Sequence, residues 1–103
     1  MTPVLVLTTV GASFDPRALA TELVQRRLAA CVNIVPRLHS VYRWQGKIDE
    51  EDEQLLLIKT AEELLDDVKE ALYKGHPYEI PEFIVVRMDD LSEAYREWLV
   101  SSL

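Results

Sequence analysis

The chain lacks most of what recognisable sites are built from. It has one cysteine, Cys31, in 103 residues. A single thiol closes no intrachain disulfide, so a disulfide scaffold is excluded and a reducing compartment is the natural setting. There are only two histidines, His39 and His76, so any His-based catalytic triad would be accidental. Positive charge is scarce: 11 Lys and Arg stand against 18 Asp and Glu, a net charge of −7, and Arg26-Arg27 is the longest basic run. Nucleic-acid affinity comes largely from neutralised phosphates, so DNA and RNA are poor partners, and anionic membranes are disfavoured for the same reason. The longest apolar runs, such as Leu55–Ile58, fall far short of the ~20 residues a membrane helix needs. The first ten residues carry neither a basic stretch nor a small-residue cleavage site, so the expected location is the cytoplasm.

What is present is ordinary for a globular protein: 49% apolar and 28% charged residues. The expectation is one domain over residues 1–103, with no linker, repeat or low-complexity segment. A chain of this size buries only about 60–65% of its unfolded surface, so contacts with partner chains would matter.

Val4–Val10 is a β-branched and Leu run and reads as a buried strand. Asp15-Pro16 then opens a helix with an apolar stripe at Ala20, Leu23, Val24 and Leu28. Cys31–Trp44 has strand chemistry interrupted by Pro36, which marks an edge, a bend or a bulge. Gln45-Gly46 is a hairpin turn, and Lys47–Lys59 returns from it. Thr60-Ala-Glu-Glu63 reads as a capping box for a helix burying Leu64, Leu65, Val68 and Leu72. Gly75 suits a left-handed stop, and Pro77 prevents continuation. Phe83–Met88 is the last strand, and Ser92 or Asp90 caps a short helix with Tyr95, Trp98 and Leu99. The order β-α-β-β-α-β plus a helix predicts an α+β, ferredoxin-like sandwich with a long central hairpin.

A strand from Cys31 to Trp44 would run about 45 Å, against a diameter of about 35 Å for a compact domain of this size. The hairpin should therefore overhang, with Tyr42, Trp44 and Ile48 near its tip. A second chain pairing there would bury the rings and satisfy an open edge. If Pro36 instead folded the strand back, the tip would stay in water. Self-association is the preferred reading, with Tyr42 and Trp44 at the interface and Trp98 packed on its own domain.

Candidate chemistry is thin. His76 with Glu79 could ligate Cu(II) or another divalent cation weakly; the alternative is a helix-terminal His bonding the last carbonyls. Cys31 follows Ala29-Ala30 and reads as a small core residue rather than a Cu(I) ligand. Asp49–Glu53 is a run of acids on an extended strand, where alternate residues face opposite ways, so it reads as a solvated end rather than a calcium loop. Ser13, Ser40 and Ser92 lack a nucleophile-elbow context. The loop after the first strand has no Arg of the kind an acylphosphatase needs, and Gln54–Lys59 is aliphatic where an RNA-binding sheet needs aromatics. No enzymatic activity is expected.

Four stretches resemble the CutA family in sequence and order: Arg27–Pro36, Ser40-Val-Tyr-Arg-Trp-Gln-Gly-Lys47, Leu57-Ile-Lys-Thr60 and His76-Pro-Tyr-Glu-Ile-Pro-Glu82, with Tyr95-x-x-Trp98-Leu99 closing. The resemblance spans almost the whole chain. It implies a PII-like fold, a homotrimer joined through its sheets, and a link to tolerance of copper and other divalent cations. Proposed copper ligands of some relatives, a Cys and two His, align with Thr8, Gly75 and His76, so only the last matches. His76 is then the expected imidazole ligand, and His39 should matter little. Two alternatives remain: a PII-like sensor holding a small anionic ligand between subunits at Lys59, His76 and Tyr78, and a trimer that scaffolds a protein partner.

Overall fold

The computed structural model describes residues 1–103. Its elements follow the expected order: β1 (Pro3–Gly11), α1 (Arg17–Gln25), β2 (Cys31–Trp44), β3 (Lys47–Ala61), α2 (Leu65–Gly75), β4 (Ile84–Arg87) and α3 (Glu93–Ser101). They form one antiparallel sheet in the order β2-β3-β1-β4, leaving β2 and β4 as edges. This is the ferredoxin-like arrangement.

Alternation along the strands sorts the two faces. Val4, Val6, Thr8 and Val10 of β1 and Leu56 and Ile58 of β3 are fully buried. They meet Leu19 and Leu23 of α1 and Val68, Ala71 and Leu72 of α2 in one core. Strand neighbours such as Lys59 point the other way, where α3 crosses β1 and β3 and buries Leu99.

The hairpin is as long as expected. β2 is continuous over 14 residues, with a register shift between Val35 and Leu38 at Pro36. Gln45 and Gly46 both take positive φ, 50° and 79°, as a tight hairpin turn of the primed type requires. The molecule measures 44 × 26 × 23 Å with a radius of gyration of 14.3 Å, above the roughly 13 Å of a compact chain of this length.

Several local expectations are corrected. Thr60 caps no helix: it lies in β3, and its hydroxyl donates to the Leu28 carbonyl at 2.6 Å, tying the end of α1 to the sheet. Glu63 instead accepts from the Thr2 amide at 3.0 Å. A single turn of 3₁₀ helix, Glu62–Leu64, leads into α2 without a side-chain cap. Gly75 does not have positive φ. Its small size matters because a Cβ there would sit 2.9 Å from Leu19 Cδ1 where the two helices meet. The left-handed residue is Arg27, φ 57°, at the end of α1, where the Leu28 amide reaches back to the Leu23 carbonyl. On α1 the buried face includes Leu19, while Val24 is 42% exposed. β4 is shorter than Phe83–Met88. Ser92 does cap α3, accepting from the Tyr95 amide at 3.3 Å. Trp98 is only partly packed on its own domain: it is 44% exposed, with its ring beside Tyr95, centroids 5.3 Å apart.

Candidate functional site

A concavity of about 740 Å³ lies where the hairpin arm passes the segment that follows α2. Its floor comes from β3. Because strand residues alternate, Asp49, Glu51 and Glu53 share one face of the arm while Glu50 and Asp52 share the other. Tyr42 and Trp44 of β2 and the stretch Pro77–Ile80, with Glu82, form the walls. This segment leaves α2 at His76, whose extended backbone (φ −81°, ψ 136°) turns the chain past the part of β1 that β4 does not reach.

His76 is the anchor of that turn. Its ring is buried, 9% exposed. Nδ1 accepts the Tyr78 amide at 3.0 Å, which leaves the proton on Nε2, donated to the Thr9 carbonyl at 2.9 Å with Thr8 Oγ1 3.2 Å away. Burial holds its pKa below the usual histidine value, against the opposing pull of the Thr9 carbonyl and the Glu53 charge. The fold thus brings the positions of Thr8 and His76 together. With both ring nitrogens in use, however, a metal ion could bind His76 only by displacing these bonds. Glu79 is exposed on the groove wall, and no three His, Cys, Asp or Glu side chains converge in a geometry that could hold a metal ion.

Tyr78 continues from His76 into the groove. Its hydroxyl donates to Glu53 Oε2 at 2.6 Å, and burial, then the Glu53 carboxylate, push the phenol pKa well above its ordinary range. Burial and the same charge raise the Glu82 carboxyl. Sequence reasoning found Tyr78 but missed its partner. Parity in the acidic run predicts that Glu53 shares a face with Asp49 and Glu51, but nothing in the sequence shows that Tyr78 crosses 25 residues to meet it.

The remaining candidates lie elsewhere. Lys59 is on the α3 side, its Nζ donating to the Tyr95 hydroxyl at 3.0 Å, so within one chain it stands apart from Tyr78 and His76. Cys31 pairs with Lys59 across β2 and β3 and is half-buried. On the arm's other face His39 bridges two acids, Nδ1 to Asp52 Oδ1 and Nε2 to Glu50 Oε1, both at 2.8 Å. Glu50 first, then Asp52, raise its pKa above the usual value.

Together these features define a small ferredoxin-like α+β domain with an overhanging arm and an acidic groove. A family model described as CutA1 divalent ion tolerance protein matches residues 4–102, and the chain belongs to that family. It is 44% identical over 95 residues to the divalent-cation tolerance protein CutA of Thermus thermophilus, covering 92% of both chains. It is 42% identical over 99 residues to the chloroplastic CutA of Arabidopsis thaliana, covering 96% of this chain but 54% of that longer protein. The chain thus spans about half the length of this plant relative. Among solved structures, CutA1 of Oryza sativa superposes with a TM-score of 0.93 at 40% identity over 99% of this chain and 94% of that one. CutA of Synechococcus elongatus gives 0.92 at 44% identity, with 99% and 90% covered. No helix of the chain is long and apolar enough to cross a membrane.

Proposed function

We propose that this chain acts in tolerance of divalent cations as a cytoplasmic homotrimer that catalyses no reaction of its own. The observation that carries the assembly is the arm. It extends the molecule to 44 Å, it leaves β2 unpaired along one edge, and it leaves Trp44 45% exposed near its tip. The relatives named for divalent-cation tolerance support the cellular role. Cu(II) or another divalent cation would be held weakly by a single chain, since the His76 nitrogens are occupied and no third ligand converges. The small-anion alternative draws less support, because Lys59 is engaged by Tyr95 and the groove is lined by carboxylates.

Native mass spectrometry and light scattering test the assembly. The expected species is three times the 11.8 kDa chain; a monomer at micromolar concentration would overturn the reading. Calorimetry with Cu(II) tests the metal. The expected result is weak binding that fades as pH falls below the usual histidine value of about 6.5, because a ligating nitrogen must be neutral and burial lowers the His76 pKa.

A further inference from the structure

The side of the arm that faces away from the groove carries a bridge of three charged groups. His39 lies straight across from Asp52, and Glu50 is its diagonal neighbour one pleat nearer the tip. Nδ1 reaches Asp52 Oδ1 and Nε2 reaches Glu50 Oε1, both at 2.8 Å. Only the protonated ring can donate both bonds. A neutral imidazole donates from one nitrogen and presents a lone pair on the other, and a lone pair at that distance repels a carboxylate oxygen. The place of the bridge along the strand matters as much as its charge. Pro36 donates nothing to the ladder, and regular pairing is broken between Val35 and Leu38. His39–Asp52 is the second pair beyond that break. From Glu51 to the turn, β3 is paired only with β2 and all its side chains are exposed. A two-stranded ribbon of this kind is marginal in water, so a side-chain tie across its root has a large say in its order. The other charged groups of β2 beyond the break are Arg37, which attracts Asp52 more weakly than His39 does, and Arg43 nearer the tip. The loop before α1 reaches Asp52 through the Ala12 amide at 3.2 Å, and its charged pair, Asp15 and Arg17, is bonded to itself at 2.9 Å. His39 holds Asp52 below the ordinary carboxylate value, so this acid stays charged while imidazole titrates. Glu50, then Asp52, hold the His39 proton above the usual histidine value. All three side chains are more than half exposed, so the proton exchanges freely with water.

We propose that His39 is a proton-operated latch: charged, it fastens β2 to β3 just beyond the Pro36 bulge, and neutral, it releases one carboxylate and lets the arm move about that bulge. The latch is closed below the folded His39 pKa and opens as pH rises through it, above about 6.5. The order of the arm, and of whatever the arm touches, therefore responds to pH around neutrality. The latch acts within one chain and does not depend on the trimer.

The full chain, labelled with ¹⁵N, is followed by NMR between about pH 5 and pH 9, which spans the imidazole range. The His39 ring nitrogens report the proton. Hydrogen exchange of the Val41, Arg43 and Ile48 amides, corrected for the intrinsic effect of pH, reports the arm, and Leu56 and Ile58 report the core. Both ring nitrogens should be protonated at the acid end, with a midpoint above about 6.5. Arm protection should fall a few-fold across that same midpoint, the size expected of an exposed ionic bridge, while the core amides stay unchanged. His39→Gln should hold the arm at the lower protection at every pH. His39→Arg, which keeps a charge between the two acids throughout, should hold it at the higher one. Glu50→Gln combined with Asp52→Asn should return the His39 midpoint to about 6.5 and abolish the step. Three outcomes would overturn the latch: a step that survives His39→Gln, a wild-type His39 midpoint at or below about 6.5, or arm protection that stays flat while His39 titrates. A monomeric mass would end the trimer reading and leave the latch standing, whereas a trimer without the pH step would do the reverse.

Discussion

The two halves of β3 do different work with the same backbone. From Gln54 to Ala61 every second side chain is buried against α1 and α2, and the opposite face lies under α3 or is half-covered. From Lys47 to Asp52 all six positions are exposed, and the only cover is the paired strand β2. One strand is thus a core element at one end and a projecting arm at the other. The difference shows that hydrogen-bonded pairing can carry a sheet beyond its core only as a two-stranded ribbon that is marginal by itself, whereas burial determines which part of it the domain depends on.

The largest test of this contrast is Leu56→Ala. A fully buried leucine at the centre of the core should cost about 3 kcal/mol on truncation, read by urea denaturation, and the loss should not depend on protein concentration. Trp44→Ala probes the arm. It should leave the domain's own unfolding nearly unchanged but weaken assembly by about 1–2 kcal/mol per interface, read as a shift in the dilution midpoint of the oligomer. An effect of Trp44→Ala that is the same at every concentration would erase the contrast, because the arm would then belong to the domain's own fold. Trp98→Ala serves as the control: the residue is as exposed as Trp44, but it sits on α3 beside Tyr95 and should not move the oligomer midpoint.

A smaller effect separates the two structural glycines. Gly46→Ala forces a side chain into positive φ at the arm's turn and should cost about 1 kcal/mol. Gly75→Ala keeps a permitted backbone but must push Leu19 Cδ1 aside, so its loss should be partly recovered by shortening that neighbour with Leu19→Val.

The smallest effect concerns the histidines, which should respond to pH with opposite signs. His76 has a lowered pKa in the fold, so its contribution is complete above the unfolded value near 6.5 and is lost as pH falls through the folded pKa. His39 has a raised one, so its contribution is complete below about 6.5 and is lost as pH rises through the folded pKa. Unfolding midpoints between about pH 5 and pH 8 should therefore flatten on the acid side in His76→Gln and on the alkaline side in His39→Gln. Amide exchange in the arm should report only the second change.

The element order, the long hairpin and its turn were legible because they rest on local signals: β-branched runs, Asp15-Pro16, Gln45-Gly46 and a proline in an edge strand. The errors came where a contact distant in sequence overrode a local pattern. Thr60 matched a capping box but donates to Leu28, and Gly75 matched a helix stop but is small because of Leu19. The candidate site was legible residue by residue rather than as an arrangement. His76, Tyr78 and the acidic run were visible, yet periodicity could not show that His76 turns inward onto Thr9 while Tyr78 reaches Glu53. Trp98 was misplaced because helical spacing gives a face without saying whether anything lies opposite it.

The irregularity at Pro36 reaches further than its own position. Val35 lies opposite Leu55 and Leu38 opposite Glu53, so β2 takes three steps where β3 takes two. Every side chain beyond that point is set half a pleat out of phase with the strand's base. Before it, odd-numbered residues of β2 sit beside odd-numbered residues of β3; after it, Leu38, Ser40, Tyr42 and Trp44 do. Were the strands to pair regularly through this point with every residue kept, the register would slip by one and exchange the two sides of the arm, sending Tyr42 and Trp44 over to the side of Glu50 and Asp52 and bringing His39 above Glu51 and Glu53. The extra residue works as a parity bit: ironing out the bulge, with no change of chemistry, would invert what the arm shows to each side.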